Sequence, residues 1–292
     1  MTDTAMTATP AETLVLPAPA KLNRLLHIIG RRPDGYHELQ TLFQFLDHGD
    51  TLRLRRREDG EIRLTPEIPG VAREENLIRR AARLLQAESD CRLGAEIHLE
   101  KRLPLGGGLG GGSSDAATAL LGLDALWGLG LSLERLAELG LVLGADVPVF
   151  VRGHAAWGEG IGERLTPVDL DTPWFVVIHP GVAVSTPAVF GADELTRDTP
   201  PITMARALQR GASSWRNDCE ATVRALYPPV AEALDWLSAR APALLTGTGA
   251  CVFARLASET EADQLLGEIA GRWQAFKARG LNRSPLHDVL GR

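Results

Sequence analysis

Cysteine is scarce in this chain: Cys91, Cys219 and Cys251 are the only three in 292 residues. The number is odd and no CxxC or Cys/His spacing occurs, so neither a disulfide framework nor a zinc site is expected. Such usage fits a reducing cytosol. None of the seven histidines falls in an HExxH or paired pattern, and a protein-held transition metal is not expected. Long apolar runs are missing too. No stretch reaches about 18 residues without a charge or a Gly/Pro break, and Asp124 interrupts the nearest candidate, Ala116 to Leu133. A membrane span is therefore not expected. Met1 to Thr13 is Thr/Ala-rich, without a basic start or a long apolar core, unlike a secretory signal. A basic excess is also absent: 31 Lys plus Arg stand against 37 Asp plus Glu, a formal charge of −6. That argues against a nucleic-acid partner, but local amides and one or two cations can still hold a small anionic ligand.

What is present is the profile of a globular protein, 45% hydrophobic and 23% charged. Residues 1–12 read as a loose tail. Leu14 to Ile29 is apolar and β-like and carries Lys21 and Asn23. Arg32-Pro33-Asp34-Gly35 is a turn, because Pro presets φ and Gly tolerates φ > 0. Thr51–Arg55, Glu61–Leu64 and Ala95–Glu100 alternate with period 2, as half-buried strands do. Leu77 to Leu85, Ala116 to Trp127 and Leu133 to Leu139 carry helical spacing. The later half predicts a strand at Trp174–Ile178, helices near Cys219–Leu226 and Val230–Leu237, a strand pair around Leu244–Thr246 and Cys251–Leu256, and a helix at Glu261–Ile269. Strands and helices mix without a βαβ rhythm, which favours an α+β fold. The polar stretch Leu165 to Pro173 suggests two domains, 1–168 and 169–292.

The most informative segment is Pro104-Leu105-Gly106-Gly107-Gly108-Leu109-Gly110-Gly111-Gly112-Ser113-Ser114-Asp115. Six glycines in seven positions leave a nearly bare backbone, whose N–H groups can converge on phosphate oxygens. The loop feeds a helix with unpaired first amides and a favourable dipole. Ser113 and Ser114 are natural N-cap residues. A flexible linker is the bland alternative, but a strand and an amphipathic helix pin the loop at both ends. GxxxxGK[ST] needs a Lys after the last Gly, and Ser113 stands there, so this is not a Walker A loop. Gly106, Gly108 and Gly111 formally satisfy GxGxxG. The acid that a dinucleotide fold wants about 20 residues on would be Glu134, which sits in a helical pattern instead.

Pro104–Ser114 resembles the ATP loop of the GHMP kinases, the family of galactokinase, homoserine kinase, mevalonate kinase and phosphomevalonate kinase. Further segments sharpen the likeness: Pro19-Ala20-Lys21-Leu22-Asn23, Arg32 to His37, Gly144-Ala145-Asp146-Val147-Pro148-Val149-Phe150 and Thr246-Gly247-Thr248-Gly249-Ala250. So do Gly158 to Gly162, His179-Pro180-Gly181, Asn217-Asp218-Cys219-Glu220 and Ser284-Pro285-Leu286-His287. Together they run from about Leu14 to His287 and are similar to a branch of the family that acts on a cytidine diphosphate-linked substrate. The resemblance implies a two-domain α+β fold with the active site in the cleft between domains. It implies transfer of the γ-phosphoryl of ATP, with Mg2+, to the 2-hydroxyl of a methylerythritol unit, a step of non-mevalonate isoprenoid precursor synthesis.

From pattern alone, Asp146 reads as a turn cap before Val147-Pro148 and Lys21 as an edge or snorkelling lysine. The resemblance instead makes Asp146 the base for the acceptor hydroxyl, with Lys21 facing both. It sets Tyr36 and His37 on the cytosine, with Phe190 closing the other face, whereas composition alone gives a half-buried aromatic, a surface His and a core Phe. Asn23 and Thr186 become polar contacts to substrate. Thr246, Gly247, Thr248 and Gly249, otherwise a hairpin loop, lie beside the first loop and close over the diphosphate. Mg2+ is expected to arrive on the nucleotide. No acidic pair is apparent next to the glycine loop, leaving Ser113 or Ser114 as the ligand candidates. Asp115 sets a carboxylate in the helix first turn, near the expected phosphates. Another GHMP kinase, acting on a sugar, homoserine or mevalonate, would lack need of an aromatic clamp. A nucleotide-binding regulatory module would have no use for a base. The sequence leaves monomer and homodimer open.

Overall fold

A computed structural model describes residues 13–292; the expected loose tail, 1–12, lies outside the described residues. The spine is a hairpin of two long strands, β1 (Thr13–Arg31) and β2 (His37–Arg57), antiparallel from Thr13↔Arg55 to Arg31↔His37. The Arg32–Gly35 turn joins them: Gly35 takes φ +89° and its N–H donates to the Arg32 carbonyl at 3.0 Å. The register shifts between Pro19 and Lys21, Asn23 and Leu25, and Ile28 and Gly30. Two of these irregularities bracket the Lys21–Asn23 segment. Irregularities of this kind twist a strand and re-aim its side chains, a device common beside active sites. Lys21 and Asn23, two residues apart, share one face of the strand, while Leu22 joins a core cluster with Phe175 and Phe253.

Strands β3 (Ile62–Thr65) and β4 (Gly94–Glu100) extend the second half of β2, with β3 parallel to β4. Strand β5 (Ala156–Gly160) pairs with the first half of β2, and β6 (Arg164–Pro167) with β5. Helices α1 (Leu77–Ser89), α2 (Gly111–Trp127), α3 (Leu133–Leu143) and α4 (Val147–Arg152) cover this sheet. Their inward residues, among them Leu85, Leu120, Leu136 and Phe150, form one core with Leu16, Phe45 and Leu54 of the hairpin. Asn76 starts α1 by accepting from the Ile78 N–H at 2.9 Å, which satisfies an otherwise unpaired donor.

The second half holds β7 (Trp174–His179), β8 (Ala243–Leu245), β9 (Val252–Leu256) and β10 (Gln274–Leu281). Around them lie α5 (Thr186–Gly191), α6 (Met204–Arg210), α7 (Glu220–Leu226), α8 (Pro228–Ser238) and α9 (Glu259–Ile269). Strand β10 runs antiparallel to β7 and then touches β2 at Gly280↔Leu46 and Leu281↔Phe45. One sheet path, β3-β4-β2-β10-β7-β9-β8, therefore crosses both halves. The last helix, α10 (Pro285–Leu290), returns to the first half, where Leu286 joins its core. The fold is α+β, and no described helix is long and apolar enough to cross a membrane. Glu134 lies in the first turn of α3, not at a strand end where a dinucleotide site would use it.

Candidate active site

A cleft of about 540 Å³ opens between the halves, within the size range of small-ligand sites. The glycine loop forms one wall. Gly108 and Gly110 adopt φ +73° and +71°, which side chains rarely tolerate. A Cβ on Gly108 would stand 2.2 Å from the Thr246 carbonyl, and one on Gly110 would stand 2.7 Å from the Phe150 ring. Because Gly110 accepts the left-handed conformation, α2 begins directly after it, and Gly110 itself is the N-cap. This corrects the expected capping role of Ser113 and Ser114: they sit inside the first turn. Ser113 lines the cleft, whereas Ser114 is buried with no partner for its hydroxyl.

Thr246-Gly247-Thr248-Gly249 connects β8 to β9 and is strapped to the glycine loop by backbone bonds. Ala250 N–H donates to Gly106 O at 3.1 Å, and Cys251 N–H to Gly107 O at 3.0 Å. Thr246 Oγ1 adds a bond to Gly108 O at 3.2 Å. Asn217 holds this turn from behind, with Nδ2 on the carbonyls of Leu245 (2.9 Å) and Gly247 (2.7 Å). Asn217 belongs to a motif seen in the sequence without a role.

Lys21 is 3% exposed, so it is not a snorkelling lysine. Its ammonium has three protons and three acceptors: Asn23 Oδ1 at 2.5 Å, Gly108 O at 3.1 Å and Asp146 Oδ2 at 3.2 Å. One cation thus ties the glycine loop to a carboxylate. Asp146 occupies the N-cap position of α4 with a helical backbone, φ −84°, and its side chain makes no capping bond; it turns to Lys21 instead. The carboxylate is one-third exposed and faces the cleft. Asn23 also lines the cleft, with Nδ2 on Thr41 Oγ1 at 2.9 Å, so its amide braces Lys21 from inside the protein.

The far end of the cleft is aromatic. His37 stacks on Phe190 with ring centroids 4.9 Å apart and planes at 23°, while Tyr36 stands beside them, 60% exposed. Burial, then the cations Arg197 and Arg31, push the His37 imidazole below its ordinary pKa. Thr186 reaches the cleft from the start of α5 and shares a hydrogen bond with Thr248 at 2.8 Å.

A second polar group underlies the glycine loop, and sequence reasoning missed it. Lys101 Nζ contacts Asp50 Oδ2 at 2.5 Å and Asp115 Oδ2 at 2.8 Å. Asp50 Oδ1 accepts from the Arg102 and Leu103 N–H groups at 2.6 and 2.8 Å, which fixes the chain entering the loop. An acidic pair does lie next to the loop, contrary to expectation. It is closed around Lys101, which leads into the loop, and its second carboxylate comes from Asp50, 51 positions earlier, a pairing that no local spacing reveals. Asp115 is buried, and desolvation, opposed by Lys101 and reinforced by Asp50, pushes its carboxyl up to about 7.

Two sequence profiles match the chain, "GHMP kinases N terminal domain" over residues 76–154 and "GHMP kinases C terminal" over 202–275. A 4-diphosphocytidyl-2-C-methyl-D-erythritol kinase of Chromohalobacter salexigens is 70% identical, over 96% of this chain and 95% of that protein. Its counterpart in Pseudomonas savastanoi pv. phaseolicola is 60% identical over 95% of each. A crystal structure of 4-(cytidine 5′-diphospho)-2C-methyl-D-erythritol kinase superposes with a TM-score of 0.79 at 33% identity, covering 91% of this chain and 99% of the other. A mevalonate kinase structure superposes at 0.67 with 15% identity, covering 92% of this chain and all of the other; that likeness speaks to the fold alone.

Proposed function

Because the chain belongs to the 4-diphosphocytidyl-2-C-methyl-D-erythritol kinase family of the GHMP kinases, we propose that its cleft transfers the γ-phosphoryl of ATP to the 2-hydroxyl of 4-diphosphocytidyl-2-C-methyl-D-erythritol. The observation that carries this reading is the Lys21–Asp146 pair at 3.2 Å, placed between a bare-amide loop and an aromatic pocket in a single cleft. Phosphoryl transfer needs a phosphate cradle, an oriented hydroxyl and compensation of developing charge. The glycine loop and the first turn of α2 offer amides to the triphosphate. Asp146 accepts the hydroxyl proton as the oxygen attacks phosphorus. Lys21, 3.2 Å from Asp146, stabilises the charge on the attacking oxygen. Tyr36, His37 and Phe190 hold the cytosine; Thr186, Gly247, Thr248 and Gly249 hold the polar middle of the substrate, while Thr246, buried and off the cleft surface, anchors their turn by accepting the Asn23 backbone N–H on Oγ1 at 3.0 Å.

No cluster of three His, Cys, Asp or Glu suited to a metal occurs among the described residues. The side-chain ligand atoms facing the cleft belong to one carboxylate, already paired, the His37 imidazole, held by Arg197, the Asn23 amide and hydroxyls such as that of Ser113. Such a set suits Mg2+ carried in by the triphosphate and retaining several waters, rather than a protein cage. When bound, the ion would neutralise phosphate charge, and Ser113, which lines the cleft, would be the residue of this chain to hold it. The three free thiols suit a reducing cytoplasm.

The test is ADP release from ATP and Mg2+ offered in turn with 4-diphosphocytidyl-2-C-methyl-D-erythritol, homoserine, mevalonate or galactose. Turnover with the cytidyl alcohol alone is expected. Turnover with any of the other three at comparable kcat/KM would contradict the assignment.

A further inference from the structure

Arg197 stands outside every motif of the sequence, yet its guanidinium joins the two rings of the aromatic pocket. Nε donates to His37 Nε2 at 3.1 Å. Nη1 donates to the carbonyls of Asp193 (3.4 Å) and Leu195 (3.2 Å), and Nη2 to those of Phe190 (3.0 Å) and Ala192 (2.6 Å). A guanidinium has five N–H donors and no acceptor, so the fork is fully engaged. All five acceptors are neutral: four carbonyls and one imidazole nitrogen. The carbonyls belong to the end of α5 and the chain just after it, where helix carbonyls lack intrahelical partners and a cation is favoured. That accounts for four of the bonds. The fifth crosses to β2, in the other half of the molecule, and a helix cap does not require it.

The fifth bond carries chemical information. An arginine only donates, so His37 Nε2 must accept, which neither an imidazolium nor the Nε2–H tautomer can do. The His37 proton therefore sits on Nδ1. The same guanidinium fixes the backbone of Phe190, whose ring stacks on His37. We propose that Arg197 is a positioning residue for the nucleobase: it locks His37 in the neutral Nδ1–H tautomer and holds Phe190 against it, so the base pocket is assembled before substrate arrives. The proposal rests on the reading of this pocket as the cytosine site. A preformed wall avoids the ordering cost that two mobile rings would add to binding, and lysine, with one rotatable ammonium, cannot replace a five-way fork.

The test combines histidine-ring 15N correlation spectra with binding of cytidine 5′-diphosphate. In the unmodified protein the His37 signals, assigned by their loss in His37→Gln, are expected to show a protonated Nδ1 and a bare Nε2. In Arg197→Gln, the ring is expected to lose that single tautomer. The dissociation constant for cytidine 5′-diphosphate is then expected to rise about tenfold or more, the scale of a lost charge-assisted bond and its ordering, while that for ATP stays within about twofold. Arg197→Lys is expected to behave like Arg197→Gln. An Nε2–H tautomer in the unmodified protein overturns the proposal, even if the variants fold poorly. So does unchanged cytidine 5′-diphosphate binding in a folded Arg197→Gln protein. Failure of the unmodified protein to bind cytidine 5′-diphosphate would instead overturn the base-site reading, and the tautomer measurement would still decide the role of Arg197.

Discussion

Asp115 carries the clearest pH signature among the site residues. Folding favours its protonated form, so the stability it confers is complete below the ordinary value of 3.8 and is lost as pH rises to about 7. Asp115→Asn removes that slope. The Tm difference, variant minus unmodified protein, is expected to grow from about pH 4 to about pH 7 and then level off; a constant difference in thermal scans across that range would contradict the buried, Lys101-paired placement. Tyr36, exposed at the cleft mouth, makes a different prediction. Tyr36→Ala should raise KM for the cytidyl substrate about tenfold, a typical loss for one aromatic contact, and leave KM for ATP unchanged; steady-state kinetics with each substrate varied would separate this from general damage, which raises both. Much at this scale was legible in the sequence. Lys21, Asn23 and Asp146 stand in motifs, and the structure brings them together. Arg197 and the Lys101 cluster were not legible, because His37 lies 160 positions from Arg197 and Asp50 lies 51 from Lys101, and no periodicity links such distant residues.

Among the elements, the two glycine turns behave as one unit. Their backbones interlock so closely that a methyl on Gly108 would meet the Thr246 carbonyl at 2.2 Å. Gly108→Ala is therefore expected to force the turns apart, weaken ATP binding at least tenfold and lower stability by about 1–3 kcal/mol, read by calorimetric titration and denaturant unfolding. Intact binding would show that the loop needs no such contact. The half-buried strands with clean alternation, β3, β4 and the end of β2, were readable from period 2. The first half of β2 was not: Gln40 to Leu46 is buried throughout, so the alternating signal vanishes. Helix α4 escaped for a related reason, since all of Val147–Val151 is buried and a short apolar run does not declare its period. The start of α2 was misplaced because a glycine, and not a serine, supplied the cap.

Across the whole molecule, a buried arginine ties the halves together. Arg24 of β1 is 2% exposed and bonds Asp171 Oδ1 at 2.7 Å and Gln44 Oε1 at 3.1 Å. Asp171 lies between β6 and β7 and also bonds Arg255 of β9 at 2.7 Å. Trp215 and Phe175 cover the Arg24 guanidinium at 4.6 and 5.4 Å. Arg24→Ala is expected to destabilise the protein by on the order of 2 kcal/mol, because it empties the space under Trp215 and Phe175 and removes the donor to Gln44, while Asp171, 45% exposed, keeps its pair with Arg255; the readout is a lower midpoint in denaturant, and a change under about 0.5 kcal/mol would show that the strut is idle. The α+β class was legible from the mixed periodicities, but the sheet path was not, because β10 joins β2 across more than two hundred residues. The account as a whole depends on Asp146 and Lys21 acting together on an alcohol in this cleft, and single-turnover phosphoryl transfer from ATP to 4-diphosphocytidyl-2-C-methyl-D-erythritol tests it most directly. In Asp146→Asn and Lys21→Met the rate is predicted to fall by about 10²–10⁴-fold while ATP still binds; transfer at the unmodified rate in either variant would contradict the account.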